Sequence, residues 1–207
     1  MNTPFEAFNN QHDKLTGLDM MGDNIRSKIK YCGTDVVFYP LCKIIRSQNA
    51  EIDDYTRILD FSFIDAGKSL KIGKHCMITW HTLIEGGANT KIGDRVFVGP
   101  GTKILTSTYE IHGLYSAEFI PKETHRINYG DIKIEDDAYI GANCTIMPGV
   151  TIGEGAVVGA NCLVNKNLEP WGIYVGTPCK KIGMREKPAD EIKQILMNEV
   201  DWTQHFK

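Results

Sequence analysis

No two of the six cysteines in this 207-residue chain stand at a CxxC spacing; they fall at Cys32, Cys42, Cys76, Cys144, Cys162 and Cys179. Zinc and dithiol redox motifs of the usual spacing are therefore missing, and in a cytosolic type of chain disulfides are not expected either. Lysine and arginine form no stripe or run, and the formal net charge is −3, which argues against nucleic acid as the main partner. No apolar run approaches transmembrane length, and the polar start MNTPFEAFNNQHDK lacks a secretory hydrophobic stretch. These absences lead to the expectation of a cytoplasmic protein without a membrane partner. Its 42% hydrophobic residues suffice for one domain with a real core.

What the chain has in abundance is a count of six. Aliphatic residues recur at Ile134, Ile140, Ile146, Ile152, Val158 and Val164, each six after the last. An earlier series runs from Phe38 through Ile44, Ile52, Ile58, Ile64, Ile72, Ile78, Ile84, Ile92 and Val98 to Ile104, with three steps of eight among the sixes. The eights come at every third step, so the chain closes a turn in three sides and carries an insertion at one corner. Neither a helix nor a simple alternating strand has this period; a triangular coil of short parallel strands does. Four residues after most of these aliphatics comes a small one, including Thr82, Ala88, Thr102 and Ala156. Cys42, Cys76, Cys144 and Cys162 occupy the same slot, which makes them small buried fillers and not reactive thiols.

The fourth member of the corner series is the step from Ile104 to Ile134, which takes thirty residues. A loop of that length in a compact repeat is functional or disordered. Its aromatic content (Tyr109, Tyr115, Phe119, Tyr129) is too high for a disordered linker. Gly86 and Gly87 in the preceding bulge are expected to allow close approach of a ligand. Asp94, a few residues past that bulge, and Glu118 in the loop are candidate anchors for sugar hydroxyls or an amine, since carboxylates accept such bonds. The ordinary alternative for Asp94 is a solvated turn residue. His112 is a candidate general base; His81 and His125 carry less weight, as lone histidines on such faces are more often structural.

The expected organisation is an N-terminal segment over 1–37, a coil over 38–185 with a loop insertion at 105–133, and a C-terminal helix over 186–207. PFEAFNNQHDKL near the start is a second helical candidate. The C-terminal helix has Pro188 near its start and apolar residues at Ile192, Ile195, Leu196 and Val200; it is expected to cap the open end of the core.

The hexads, from Phe38 to Arg185, resemble the left-handed parallel β-helix of the hexapeptide-repeat acyltransferases. The fold class implied is all-β: a left-handed parallel β-helix with a long loop insertion and a terminal helix. The tail VNKNLEPWGIYVGTPCKKIGMRE is similar to the one that follows the last coil in acetyl-CoA-dependent sugar O- and N-acyltransferases. It includes the motif Gly176, Thr177, Pro178, Cys179 and Lys180. The resemblance implies a homotrimer with sites between subunits, and acyl-CoA as co-substrate with no tightly bound cofactor. It places the backbones of Ala142 and Ala160 against the pantetheine arm, and Asn165, Lys166 and Lys180 near the phosphates and adenine.

One departure from the pattern is informative. Where maltose- and galactoside-type O-acetyltransferases begin the loop with a catalytic His, this chain has Tyr109, and their acceptor-binding Asp falls at Gly87. A hydroxyl acceptor needs a general base, whereas a sugar amine is already nucleophilic once deprotonated. The resemblance therefore points to N-acylation of nucleotide-linked aminosugars for surface polysaccharides, as in dTDP-4-amino-4,6-dideoxyglucose N-acyltransferases of anthrose-type pathways. Saccharide O-acetylation with His112 as base is the alternative. A γ-type carbonic anhydrase is a different class, but His75, His81, His112 and His125 include no closely spaced pair. A silent hexapeptide-repeat scaffold is a third class, and the retained tail and loop count against it.

Overall fold

A computed structural model describes residues 21–117 and 120–197. Three sheets, with six, eight and six strands, form the sides of a triangular coil; all their pairings are parallel except the last of the eight-stranded sheet, and a two-stranded antiparallel sheet stands apart from them. The chain passes from first to second to third side and back. Ile52, Ile72, Ile92, Ile134 and Ile152 stack on the first side. Phe38, Ile58, Ile78, Val98, Ile140 and Val158 stack on the second, and Ile44, Ile64, Ile84, Ile104, Ile146 and Val164 on the third. All of these side chains point inward and are buried. Six residues per side suits an aliphatic residue in a short strand followed by a turn that needs a small inward group. The parallel pairing begins at Tyr31–Cys32, one hexad before Phe38.

The small slots are filled as expected: Cys42, Cys76, Cys144 and Cys162 lie in the core with Ala138, Ala156 and Thr102. Burial pushes the thiols of Cys42 and Cys76 up to about 11 and about 12 from an ordinary 9.0. Both ionise less readily folded than unfolded, so their contribution to stability is full below pH 9 and is lost as the pH rises from 9 through their folded values. We expect a progressive alkaline loss of stability above pH 9. We also expect iodoacetamide near pH 8 to reach the half-buried Cys32 well before the four fillers. Equal native labelling of all of them, read by mass spectrometry, would contradict the burial.

Histidines at the other two corners are structural rungs. His75 stacks on Tyr55 with ring centroids 5.0 Å apart, and His81 on Phe61 at 5.0 Å. Both occupy left-handed turn positions, with φ of 56° and 58°.

The far end of the core is closed differently from the expectation. Leu168, Trp171 and Tyr174 are buried there, and the Arg185 and Lys187 side chains lie over the Trp171 ring. The chain then folds back as an antiparallel pair, Gly172–Val175 with Lys180–Met184. The C-terminal helix spans Asp190–Met197, but its Ile192 and Ile195 are 57% and 59% exposed. The helix is therefore not the cap of this coil, because the 168–174 segment reaches the open end first. Val200 and the N-terminal helical candidate lie outside the described residues.

Candidate functional site

The corner between third and first sides carries all of the insertions. Three bulges stack there, around residues 45–49, 65–68 and 85–88, and the long loop leaves from the next coil above them. The loop returns on itself as a hairpin, Ser107–Tyr109 paired with Ile127–Tyr129. Hairpin and bulges enclose a cleft of about 540 Å³. Ser107, Tyr109, Ile127 and Tyr129 form its wall, and Arg46, Glu85 and the Gly86–Gly87 peptide its floor.

Two polar side chains hold this arrangement. The Arg46 guanidinium grips both carboxylate oxygens of Asp65 and donates from Nη2 to the Gly86 carbonyl at 2.5 Å. The Glu85 carboxylate accepts the Thr106 and Ser107 backbone N–H groups, each at 3.0 Å, and the Ser107 hydroxyl. Thr106 Oγ1 accepts the Gly87 N–H at 2.6 Å and donates to the Glu85 carbonyl at 2.7 Å. The peptide between Gly86 and Gly87 is thus tied at both ends.

The two glycines line the cleft with their backbone, and their missing side chains also serve the packing beneath it. A Cβ on Gly86 would lie 2.5 Å from the Asp65 carbonyl oxygen and the Gly67 nitrogen, and one on Gly87 would lie 2.6 Å from the Tyr129 ring. The missing side chains let one bulge rest on another and let Tyr129 lie against the backbone.

Of the candidate residues, Tyr109 does line the cleft. His112 is exposed in the loop, and its backbone N–H donates to the Glu110 carboxylate at 3.1 Å. That bond and one from Asn128 hold Glu110 below the ordinary carboxylate range. His125 precedes the strand Ile127–Tyr129, two residues before Ile127, and does not itself line the cleft. Its ring centroid is 6.4 Å from that of Tyr109, and its Nδ1 is buried without a partner among the described residues. Glu118 lies outside the described residues.

Asp94 is one corner further on than the sequence placed it, because it follows a first-side strand, Asn89–Ile92. There its carboxylate accepts the Lys74 N–H at 2.8 Å, and its own N–H donates to Asp136 at 3.0 Å. It borders a shallow groove with Lys71, Lys91 and Asp136, separate from the cleft.

Ala142 and Ala160 sit one above the other at the corner between second and third sides, joined by the Asn161 N–H to the Ala142 carbonyl at 2.8 Å. The Cys179 N–H donates to the Leu163 carbonyl at 2.9 Å, which brings the tail beside the segment bearing Asn165 and Lys166. Those two and Lys180 are exposed, whereas Lys181 is committed to Glu169 at 2.6 Å. Ala142, Ala160 and the three polar residues therefore share one end of the molecule. Arg46 and Glu85 were missed in the sequence. The signal for Glu85 was the rung after the third-side aliphatic, where Asp65 and Glu85 recur one coil apart, whereas Ile45 holds that rung beside Arg46.

A three-sided parallel coil with one cleft-bearing corner and a basic folded-back tail defines a hexapeptide-type transferase. Residues 131–166 match the family profile described as bacterial transferase hexapeptide, six repeats. The chain is 36% identical over 137 residues to a probable macrolide acetyltransferase of Lysinibacillus sphaericus, covering 66% of this chain and 69% of that one. It is 27% identical over 187 residues to a dTDP-4-amino-4,6-dideoxy-D-glucose acyltransferase of Escherichia coli, covering 88% and 91%. A variant of AntD, an N-acyltransferase from Bacillus cereus solved with dTDP-4-amino-4,6-dideoxyglucose and coenzyme A, superimposes with a TM-score of 0.77 at 25% identity, covering 83% and 92%. The chain belongs to the hexapeptide-repeat transferase family and is one of its acyltransferases.

Proposed function

We propose that the chain is an acyl-CoA-dependent N-acyltransferase whose acceptor is the amine of a nucleotide-linked amino-deoxysugar, dTDP-linked as in the Escherichia coli and Bacillus cereus relatives. The observation that carries the reading is Tyr109. It stands in the cleft wall, and no histidine is among the described residues that line that cleft. An amine acceptor needs no strong base there. Once the ammonium has given up a proton, the nitrogen attacks the thioester carbonyl carbon. The C–N bond forms, the C–S bond breaks, and the departing sulfur takes the proton left on nitrogen.

Ala142 and Ala160 present backbone to the thin pantetheine arm, and Asn165, Lys166 and Lys180 meet the phosphates of coenzyme A. Asp94 lies on a different corner from the cleft, so its acceptor role requires a second copy, as in a homotrimer with sites between subunits. Two features support such packing. The second side carries an outward row of partly exposed apolar residues, Val37, Met77 and Tyr139. The first side is charged, with Glu51 bridged to Lys30 and Lys71. We take 38–185 as the catalytic unit, working in the cytoplasm in the supply of a surface glycan. No helix among the described residues is long and apolar enough to cross a membrane.

The test is thiol release from acetyl-CoA and longer or hydroxylated acyl-CoAs against a panel of nucleotide-linked aminosugars and plain saccharides. Turnover of hydroxyl acceptors alone would overturn the reading. Asp94→Ala is expected to lower acceptor kcat/KM by about 10-fold or more, while coenzyme A affinity stays unchanged.

A further inference from the structure

Arg46 is built as a ligand-binding arginine. Two features set it apart from a corner ion pair. First, it takes a left-handed backbone (φ 54°) where the other residues of positive φ at this corner, outside the loop, are Gly67 and Gly149. A large side chain is kept in a conformation that glycine would adopt without strain. Second, its contacts use one edge of the guanidinium. Nε and Nη2 face Asp65, and Nη2 also reaches the Gly86 carbonyl, 40 residues away in sequence. Nη1 has no protein partner among the described residues and is turned away from Asp65. The side chain is 42% exposed and lines the cleft. Asp65, held in turn by the Gly67 N–H at 3.1 Å, has therefore already fixed the rotamer of a donor whose free edge serves the cleft. Lys68, whose ammonium lies 5.8 Å from the centre of the Tyr129 ring, adds a second cation at the same corner.

We propose that Arg46 binds the diphosphate of the acceptor nucleotide through Nη1, with Asp65 as its positioning residue. This rests on the nucleotide-linked acceptor reading. Nη1 keeps two N–H donors in a fixed orientation, which can meet phosphate oxygens, and the Asp65 contact spares them the loss of freedom on binding. Coenzyme A also carries phosphates, so the two sources must be told apart.

Calorimetry on the full chain with dTDP and with coenzyme A as separate probes does this. Arg46→Ala is expected to weaken dTDP binding by about 10- to 100-fold, with coenzyme A binding within two-fold of wild type. The decline of dTDP affinity with added salt should flatten in the variant, a response that a packing role would not move. Arg46→Lys, which keeps a charge without the Asp65-fixed guanidinium, should fall between. Asp65→Asn should cost dTDP less than Arg46→Ala does. Equal losses for both probes, loss for coenzyme A alone, or unchanged dTDP affinity in Arg46→Ala and Arg46→Lys overturns the proposal. A wild type that binds coenzyme A but not dTDP overturns the nucleotide-linked acceptor with it. A wild type that acylates the dTDP-aminosugar, beside variants that bind dTDP normally, overturns the role of Arg46 alone.

Discussion

Gly86→Ala is expected to lower the unfolding temperature by about 6–12 °C. The new methyl would lie 2.5 Å from the Asp65 carbonyl oxygen, 2.5 Å from the Gly67 nitrogen and 2.6 Å from the Gly67 Cα. All three are backbone atoms of the bulge one coil below, so no side chain can swing aside. The bulges must separate, at about 3 kcal/mol for overpacking of this severity. In a domain of this size that converts to about 2–4 °C per kcal/mol. Separation also pulls the Gly86 carbonyl from Arg46, so nucleotide affinity should fall together with stability. Gly183→Ala is the matched control, as a Cβ there meets nothing within 4 Å. A calorimetric scan in which the two variants melt alike would show that the bulges are not in contact as described.

Glu85→Ala should free the loop without unfolding the coil. The carboxylate serves three donors at the point where the loop departs: the Thr106 and Ser107 amides and the Ser107 hydroxyl. Removing it orphans all three. Each half-buried donor left without a partner costs about 1 kcal/mol or more, so the hairpin should lose about 3 kcal/mol of local stability. Amide exchange over Ser107–Tyr109 and Ile127–Tyr129 should then speed up by about 100-fold, while strands such as Leu83–Glu85 keep their protection. Because Ser107 and Tyr109 are cleft wall, acceptor kcat/KM should drop by a comparable factor, with coenzyme A affinity retained. Glu85→Gln preserves an acceptor for the two amides and should lose much less. Unchanged exchange in Glu85→Ala would mean that the pin does not hold the loop.

Both predictions concern residues whose importance was hard to read in the chain. The recurring eights located the corner and the departure point of the loop, and Tyr109 stood out against the family pattern. The same count could not show that Gly86 fills its empty space with Asp65 backbone. Nor could it show that Glu85, a polar residue one step after an inward aliphatic, turns upward to the next coil. Asp94 is close to the bulge along the chain but one corner away around the triangle, because the first-side strand Asn89–Ile92 lies between them. The terminal helix had the apolar pattern of a cap, yet a shorter segment reached the open end before it. Such outcomes depend on which backbone arrives first, and no periodicity reports that.

The sequence by itself determined the three-sided coil, its inward Ile and Val ladder, its cysteine fillers and the corner that bears the loop. A residue period of six is a property of the chain, and it leaves the backbone no other regular way to bury those side chains. The tertiary structure alone decided that Arg46, Asp65, Gly86 and Thr106 share one corner. Their meeting depends on coils one repeat apart lying in register and on the direction each side chain leaves its bulge. Those directions are set by local backbone angles, such as the left-handed turn at Arg46, which hydrophobic spacing does not encode.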